Sequence, residues 1–162
     1  ERLGIRLVRR GGTAAIARRI LARRAILGLA ADQDARGRGL FVPFFGRPAS
    51  THRGPAALAL AFGAPLFIGA LTRRGPGRRY RLEIELVDPG SAVGGRERRS
   101  EARVRDLTAR WVGRLERMVR VSPEQYFWHH RRWKSRPPGT PEPVTGTTPE
   151  AEPRHPSEAR EA

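Results

Sequence analysis

Apolar side chains and one threonine recur at three- and four-residue spacing between Arg98 and Val121, and this stripe is the clearest pattern in the chain. Its members are Val104, Leu107, Thr108, Trp111, Val112, Leu115, Met118 and Val119. Because residues at this spacing share one side of an α-helix, the stripe predicts a long helix with one buried face. The residues after it predict another helix start, with Ser122 as the cap, Pro123 in the first position and Gln125 completing a capping box.

The first forty residues predict a strand, a helix and a second strand. Ile5, Leu7 and Val8 indicate a short strand, and Thr13 can cap a helix that runs to about Arg24. The continuous apolar run at residues 25–31 is typical of a strand that is covered on both faces. A strand, a helix and a strand in this order predict a parallel crossover.

The middle of the chain predicts further short elements. Residues 40–45 indicate a strand, in which Pro43 favours an edge position or a bulge, and residues 47–53 indicate a loop. A helix is predicted from Pro55 to Phe62, followed by a buried strand at residues 65–71.

Residues 80–86 alternate between polar and apolar side chains, as in a strand with one face in water. The turn Gly75-Pro76-Gly77 precedes them, so this strand and residues 65–71 predict an antiparallel hairpin. Together the patterns predict an α/β fold with a central mixed, largely parallel sheet that is flanked by helices.

Two segments differ in composition from the rest of the chain. Residues 137–162 are rich in proline, threonine and glutamate, and we expect a disordered tail there, after one folded domain at residues 1–136. The run at residues 54–72 carries no charge and is almost long enough to span a membrane. Pro55, Gly63 and Pro65 interrupt it, so a buried helix, a turn and a strand are predicted instead.

The chain is strongly basic, with 32 Lys and Arg residues against 16 Asp and Glu residues and a net charge of +16. Such a charge implies an acidic partner, which can be an anionic lipid, a phosphorylated substrate or a nucleic acid. A nucleic-acid-binding domain is one interpretation, but no helix-turn-helix, zinc or RNA-binding motif is present, so we expect no nucleic acid. The absence of cysteine excludes disulfides and thiolate metal sites, and no His or acid pair has metal-ligand spacing.

Two sequence blocks resemble those of a known enzyme family. The first holds Asp32-Gln33-Asp34 and the segment from Phe41 to Thr51, and the second extends from Pro123 to Pro137. In this order they resemble the late acyltransferases of lipid A biosynthesis, the lauroyl and myristoyl transferases of the lysophospholipid acyltransferase superfamily. The resemblance covers roughly residues 4–137 and only the back half of such an enzyme. We therefore expect a C-terminal part, truncated at the N-terminus, with the membrane anchor in the missing part.

The resemblance implies an O-acyltransferase that acts at the cytosolic face of the inner membrane, in lipopolysaccharide synthesis. The fatty acyl chain would pass from acyl carrier protein, or from acyl-CoA, to a hydroxyl of a phosphorylated lipid A precursor, and no cofactor is expected. An enzyme that acylates phosphatidylinositol mannosides is the alternative within the superfamily, and a non-catalytic lipid-binding module is another.

The family's chemistry depends on a His-x4-Asp/Glu motif, whose imidazole deprotonates the acceptor hydroxyl. No histidine of this chain has an acid at that spacing. The residues five positions after the four histidines, His52, His129, His130 and His155, are Ala57, Lys134, Ser135 and Arg160. We therefore expect the general base outside this chain, and expect the chain alone to be inactive.

The same resemblance implies a supporting role for Asp32 near the catalytic centre, although this residue can also simply cap a turn or bind an arginine. A substrate- and phosphate-binding set is predicted at Gln33, Arg47, Ser50, Thr51, Arg53, His130, Arg131, Arg132 and Lys134. Hydroxyl groups, guanidinium groups and the free N–H groups at a helix N-terminus are donors that suit a phosphate. The alternative is that these residues form an ordinary capped loop and that the cations are only solvated.

The same C-terminal segment carries the aromatic rings of Tyr126, Phe127, Trp128 and Trp133 beside its cations. Such a mixture suits the surface of an anionic membrane. We expect Trp128 and Trp133 to pack the segment onto the rest of the domain.

Overall fold

The structure is a computed structural model that describes residue 7 and residues 13–87 and 100–140. Within these residues the chain forms three α-helices and four β-strands. They are α1 (Thr13–Ala22), β1 (Leu40–Phe44), β2 (Arg47–Thr51), α2 (Gly54–Phe62), β3 (Leu66–Arg73), β4 (Tyr80–Val87) and α3 (Glu101–Val121). Short 3-10 helices lie at Arg36–Arg38 and Pro123–Gln125. No described helix has the length and apolar character that crossing a membrane requires.

Helix α3 lies at the centre of the described core. Ser100 caps it, because its side-chain oxygen accepts a hydrogen bond from the backbone N–H of Arg103. All eight residues of the predicted stripe are buried, which confirms that prediction. They pack against the apolar side chains of β1 and α2 and against Val87 of β4, so burial of this one helix face holds three other elements together.

The strands pair as two antiparallel hairpins, β1 with β2 and β3 with β4. The α/β class is therefore confirmed, but the largely parallel central sheet is wrong for the described residues. The predicted strand at residues 25–31 forms neither strand nor helix, and Ile26 is 97% exposed. An apolar run becomes a strand only when a neighbouring strand binds its backbone N–H and C=O groups, and no described strand does so here.

The predicted loop at residues 47–53 is wrong as well, because residues 47–51 form strand β2. Phe45 and Gly46 make the connection from β1, with φ angles of 50° and 70°. Two successive positive φ angles give the twist that suits a two-residue hairpin. The sequence did not indicate this turn, because phenylalanine rarely adopts a positive φ.

The helix, the turn and the antiparallel hairpin that are predicted between residues 54 and 86 are confirmed. Residues 54–72 form a helix, a turn at Gly63 with φ 61°, and a strand that pairs antiparallel with β4. Strand β3 is not buried on both faces, since its residues alternate between partly buried and exposed. The capping box at Ser122 is absent, because the Gln125 side chain bonds the backbone of Arg73 instead.

Two predictions lie outside the described residues. They are the strand at residues 5–8, of which only Leu7 is described, and all but the first four residues of the tail at 137–162.

A carboxylate of α3 holds the tight turn between β1 and β2. Glu116 accepts a hydrogen bond of 2.6 Å from the backbone N–H of Phe45 and one of 2.6 Å from Arg120. The Arg120 guanidinium also lies 4.7 Å from the centre of the Phe45 ring. A non-glycine residue at positive φ costs about 1 to 3 kcal/mol, and these contacts stabilise it.

Replacing Glu116 by Gln is expected to lower the free energy of unfolding by about 0.5 to 1 kcal/mol at neutral pH, since the charge-assisted bonds are lost and solvent screens the pair with the exposed Arg120. The bonds from Arg120 and from the Phe45 N–H hold the pKa of Glu116 below its ordinary value of 4.5. Their contribution is therefore fully present above about pH 4.5 and is lost as the pH falls through the lower pKa of the folded state.

Urea unfolding of the wild type and of Glu116→Gln at several pH values measures this effect. The difference between the two proteins should shrink on acidification, and Glu124→Gln, which changes an exposed carboxylate, is the control. A difference that is as large at low pH as at neutral pH would contradict the role of the Glu116 charge.

Candidate functional site

The two sequence blocks meet in space, although more than ninety residues separate the atoms that touch. The backbone N–H of Asp34 donates a 2.7 Å hydrogen bond to Nε2 of His130, and the Ser135 hydroxyl donates one of 2.9 Å to the Asp34 carboxylate. Tyr126 donates a longer bond of 3.4 Å to the backbone carbonyl of Asp32. The segment after α3 is thereby bound to residues 32–34.

His130 acts as an acceptor in this contact. The predicted phosphate ligand His130 is thus engaged through Nε2 with the backbone of Asp34, and only its other nitrogen is free of that bond.

Arg132 is the largest fully buried side chain among the described residues, with 1% of its surface exposed. Its guanidinium donates a 2.7 Å hydrogen bond to the backbone carbonyl of Ser50 and a 2.6 Å bond to the hydroxyl of Thr51. The planar fork of an arginine suits two acceptors on the same strand. Arg132 therefore binds the C-terminal segment to β2.

Aromatic rings surround this cation. The guanidinium lies 5.4 Å from the centre of the Phe44 ring, and Phe44 is in turn 5.9 Å from Tyr126 and 5.7 Å from Trp133, measured between ring centres. Burial lowers the pKa of Arg132, and the carboxyl groups of Asp34 and Asp32 act in the opposite direction. The two acids thus help to keep the buried guanidinium charged.

The hydroxyls of Ser50 and Thr51 point into the protein. Both residues are fully buried, and they donate hydrogen bonds to the backbone carbonyls of Arg36 and Ala49, respectively. Gly39 packs closely against them, since a Cβ at this position would lie 2.9 Å from the backbone nitrogen of Thr51. Ser50 and Thr51, which were predicted to bind phosphate, therefore bind Arg132 and the neighbouring backbone and do not face solvent.

The other predicted ligands lie on the surface. Gln33, Arg131 and Lys134 are exposed, and so is Arg47, whose guanidinium stacks 5.2 Å from the centre of the Trp133 ring. Arg53 forms an exposed ion pair with Glu101 at the start of α3. The structure thus divides the predicted set into a buried group around Arg132 and a group of exposed side chains.

An apolar cleft of about 380 Å³ lies beside Asp32. Leu27 and Leu29 line one side, strand β3 lines another, and Trp111 and Leu115 of α3 lie between them. The polar groups of the lining belong to Asp32, Tyr126 and Trp111. The indole N–H of Trp111 is buried and has no hydrogen-bond partner among the described residues.

Tyr126 remains a hydrogen-bond donor beside this cleft. Burial raises the pKa of Tyr126, and the charge of Asp32 acts in the same direction, so the phenol keeps its proton at neutral pH. The cleft therefore combines an apolar interior with a carboxyl group and a phenolic hydroxyl. Within the part of the chain that the structure describes, no cluster of His, Asp and Glu could hold a metal ion.

Two residues of the site were not predicted. The sequence places Tyr126 in an aromatic cluster that suits either a membrane surface or packing of the C-terminal segment, and Gln125 in a capping box, but it does not predict the residues that they bind. Gln125 accepts a 2.6 Å bond from the N–H of Arg73 and donates a 3.1 Å bond to its carbonyl, as a neighbouring strand would do. No local signal indicates these contacts, because their partners lie far away in the sequence.

Comparison with known proteins gives two matches. A family model for bacterial lipid A biosynthesis acyltransferases matches residues 1–135. The lipid A biosynthesis lauroyltransferase of Escherichia coli (strain K12) is 33% identical over 115 residues, which are 69% of this chain and 35% of the relative. The chain thus spans about a third of the length of that relative.

Replacing Arg132 by Lys is expected to lower the free energy of unfolding by about 1 to 3 kcal/mol, because an ammonium cannot bind both acceptors on β2 in the planar geometry of a guanidinium. Chemical denaturation measures the change. The neighbouring exchange Arg131→Lys is the matched control and should change stability by less than about 0.5 kcal/mol, since Arg131 is exposed. Equal effects of the two exchanges would show that Arg132 does not bind the two segments together.

Proposed function

Because the chain belongs to the bacterial lipid A biosynthesis acyltransferase family, we propose that it is the C-terminal part of an enzyme that transfers a fatty acyl chain to a hydroxyl of a lipid A precursor. The proposed donor is an acyl thioester of acyl carrier protein, with acyl-CoA as the alternative. The net charge of +16 supports this choice of partners, since an acidic carrier protein and a phosphorylated glycolipid are both anionic.

The apolar cleft beside Asp32 is the observation that carries the proposal. Its volume of about 380 Å³ falls within the range of roughly 300 to 1,000 Å³ that is typical of small-molecule sites. Its leucine and alanine lining suits a saturated acyl chain, which has no polar atoms to satisfy. We propose that the acyl chain lies in the cleft with its thioester end near Asp32 and Tyr126.

Acyl transfer needs a base that this chain does not supply. The acceptor hydroxyl must lose its proton while its oxygen attacks the thioester carbonyl, the C–S bond then breaks, and the departing thiolate takes up a proton. No His-x4-Asp/Glu motif occurs in the sequence. We propose that the base lies in a part of the enzyme that this chain does not include, and that Asp32 supports the reaction by orienting a donor group or the acceptor.

The cations near the site have two proposed roles. The exposed side chains of Arg47, Arg131 and Lys134 are proposed to bind the phosphates of the acceptor together with Gln33, because they can turn toward a ligand. Arg132 is buried, and with Ser50 and Thr51 it would act by positioning these exposed cations and Asp32. Arg53 would bind a phosphate only after leaving Glu101, and His130 Nε2 only after releasing the backbone N–H of Asp34.

In the enzyme encoded by the complete reading frame, Asp32→Asn is expected to reduce kcat at least about tenfold, because the variant keeps the shape of the side chain and loses its charge. An acyl transfer assay with acyl carrier protein and a lipid A precursor measures the change. Asp106→Asn on the exposed side of α3 removes an equal charge away from the cleft and should leave kcat unchanged. Equal rates for both variants would exclude Asp32 from the reaction.

Filling the cleft is expected to weaken acyl binding. Ala30 is exposed and lines the cleft, so Ala30→Trp should occupy its volume without disturbing the core. We expect at least about tenfold weaker binding of a fluorescent lauric acid analogue to the purified chain, which corresponds to about 1.4 kcal/mol. Ala22→Trp at the end of α1 is the matched control. If both variants bind the analogue like the wild type, the acyl chain does not occupy this cleft.

A further inference from the structure

Contacts on both sides of Tyr126 hold this residue in place beside the cleft. The residue before it, Gln125, forms two hydrogen bonds with the backbone of Arg73 at the end of β3. The carbonyl of Pro123 accepts bonds from the backbone N–H of Tyr126 at 3.2 Å and from the indole N–H of Trp128 at 2.6 Å. The rings of Tyr126 and Trp128 pack edge-on, with 4.9 Å between their centres. The Tyr126 hydroxyl is therefore positioned by the protein itself.

The proton of this hydroxyl is only weakly bound. Its acceptor, the backbone carbonyl of Asp32, is 3.4 Å away, whereas strong O–H···O bonds measure about 2.5 to 3.0 Å. Of the described residues that line the cleft, Tyr126 and Trp111 carry the side-chain donors. The indole nitrogen of Trp111 is buried, whereas Tyr126 is partly exposed. Tyr126 is therefore the better placed of the two donors to reach a ligand.

Two charges of opposite sign act on the Tyr126 phenol. Burial raises its pKa, the charge of Asp32 acts in the same direction, and the charge of Arg132 acts against both. The phenol therefore keeps its proton at neutral pH and can donate it to a hydrogen bond. The buried Arg132 cation polarises the hydroxyl, and polarisation strengthens the bond that a hydroxyl donates in a poorly solvated site.

We propose that the Tyr126 hydroxyl donates a hydrogen bond to the carbonyl oxygen of the acyl thioester and stabilises the negative charge that develops there. The proposal rests on the proposed function, which places the thioester end of the acyl chain near Asp32 and Tyr126. Tyr126 would leave its weak bond to the Asp32 carbonyl for this acceptor. It is then a catalytic residue that this chain itself contributes, whereas the general base lies elsewhere in the enzyme.

The reaction creates the charge that this donor would stabilise. When the acceptor oxygen attacks the carbonyl carbon, a C–O bond forms and an electron pair of the C=O bond moves onto the carbonyl oxygen. The pair returns as the C–S bond breaks, and the thiolate takes up the proton that the base removed. Tyr126 keeps its own proton throughout. Because the charge of Asp32 beside the cleft opposes the oxyanion, a fixed donor at this point lowers the barrier.

The infrared band of a bound thioester carbonyl tests this hydrogen bond. The probe is the lauroyl thioester of N-acetylcysteamine with an isotope label at its carbonyl carbon, and the purified chain, which has no His-x4-Asp/Glu motif, should leave it intact. A hydrogen bond weakens the C=O bond, so the band is expected at higher wavenumber in Tyr126→Phe than in the wild type. Tyr80→Phe removes the other tyrosine hydroxyl of the chain, outside the cleft, and should keep the wild-type band.

The binding of the probe distinguishes a failure of this proposal from a failure of the proposed function. If the wild type does not bind the probe, or if Ala30→Trp does not weaken its binding, the acyl chain does not occupy the cleft and both are wrong. If Ala30→Trp weakens binding while Tyr126→Phe leaves the carbonyl band unchanged, the proposed function stands and Tyr126 is excluded as the donor.

A more acidic phenol gives a second measurement that keeps the hydroxyl in place. The chain contains two tyrosines, so in the Tyr80→Phe background a ring-fluorinated tyrosine supplied during growth labels Tyr126 alone. Because the fluorinated phenol is the stronger donor, the carbonyl band of the probe should move to lower wavenumber than in Tyr80→Phe with ordinary tyrosine. An unchanged band would contradict a hydrogen bond from Tyr126 to the carbonyl.

Kinetics of the enzyme encoded by the complete reading frame test whether the bond serves catalysis. Tyr126→Phe is expected to lower kcat roughly 100-fold and to change KM little, since the bond strengthens mainly in the transition state. Tyr80→Phe should leave both constants unchanged, and chemical denaturation of both variants measures any loss of stability. An unchanged kcat in Tyr126→Phe would leave this residue a packing role alone and would overturn the proposal.

Discussion

Burial of the Arg132 charge is the constraint on which the rest of the site depends. A buried guanidinium is tolerated only where fixed acceptors replace water, and here the acceptors are a carbonyl and a hydroxyl of β2. Strand β2 exists because Phe45 and Gly46 reverse the chain, and Glu116 of α3 holds that reversal. The position of the C-terminal segment therefore follows, step by step, from the helix at the centre of the core.

The same arrangement separates the polar groups of the site by role. Asp34 forms the contacts between the two sequence blocks, whereas Asp32 lies beside the apolar cleft together with Tyr126. The buried guanidinium of Arg132 is fixed by two hydrogen bonds to β2, although its Nε has no partner among the described residues, and exposed side chains remain available to ligands. For this reason the cations that remain accessible to a ligand are the exposed ones outside the Arg132 cluster.

The two hairpins differ in what their faces contact. The first hairpin, β1–β2, buries its apolar side chains against α3 and presents its turn to that helix. The second, β3–β4, packs Leu66, Ile68 and Val87 on the core, forms ion pairs from Glu85 to α3, and leaves the apolar side chains of its other face exposed. An ion pair that is partly exposed contributes little stability. The second hairpin therefore has less of its apolar surface covered within the described chain than the first.

The sequence by itself determined the elements whose signals are local. The buried stripe of α3, helix α2 with its terminating glycine and the antiparallel pairing of β3 with β4 follow from periodicity and turn residues, and the family follows from two ordered motifs. Only the tertiary structure decided that the run at residues 25–31 pairs with none of the described strands, that a phenylalanine adopts a positive φ, and that Arg132 is buried. Each of these depends on groups that are distant in sequence, because strand pairing, strain and desolvation are set by neighbours that come together only when the chain folds.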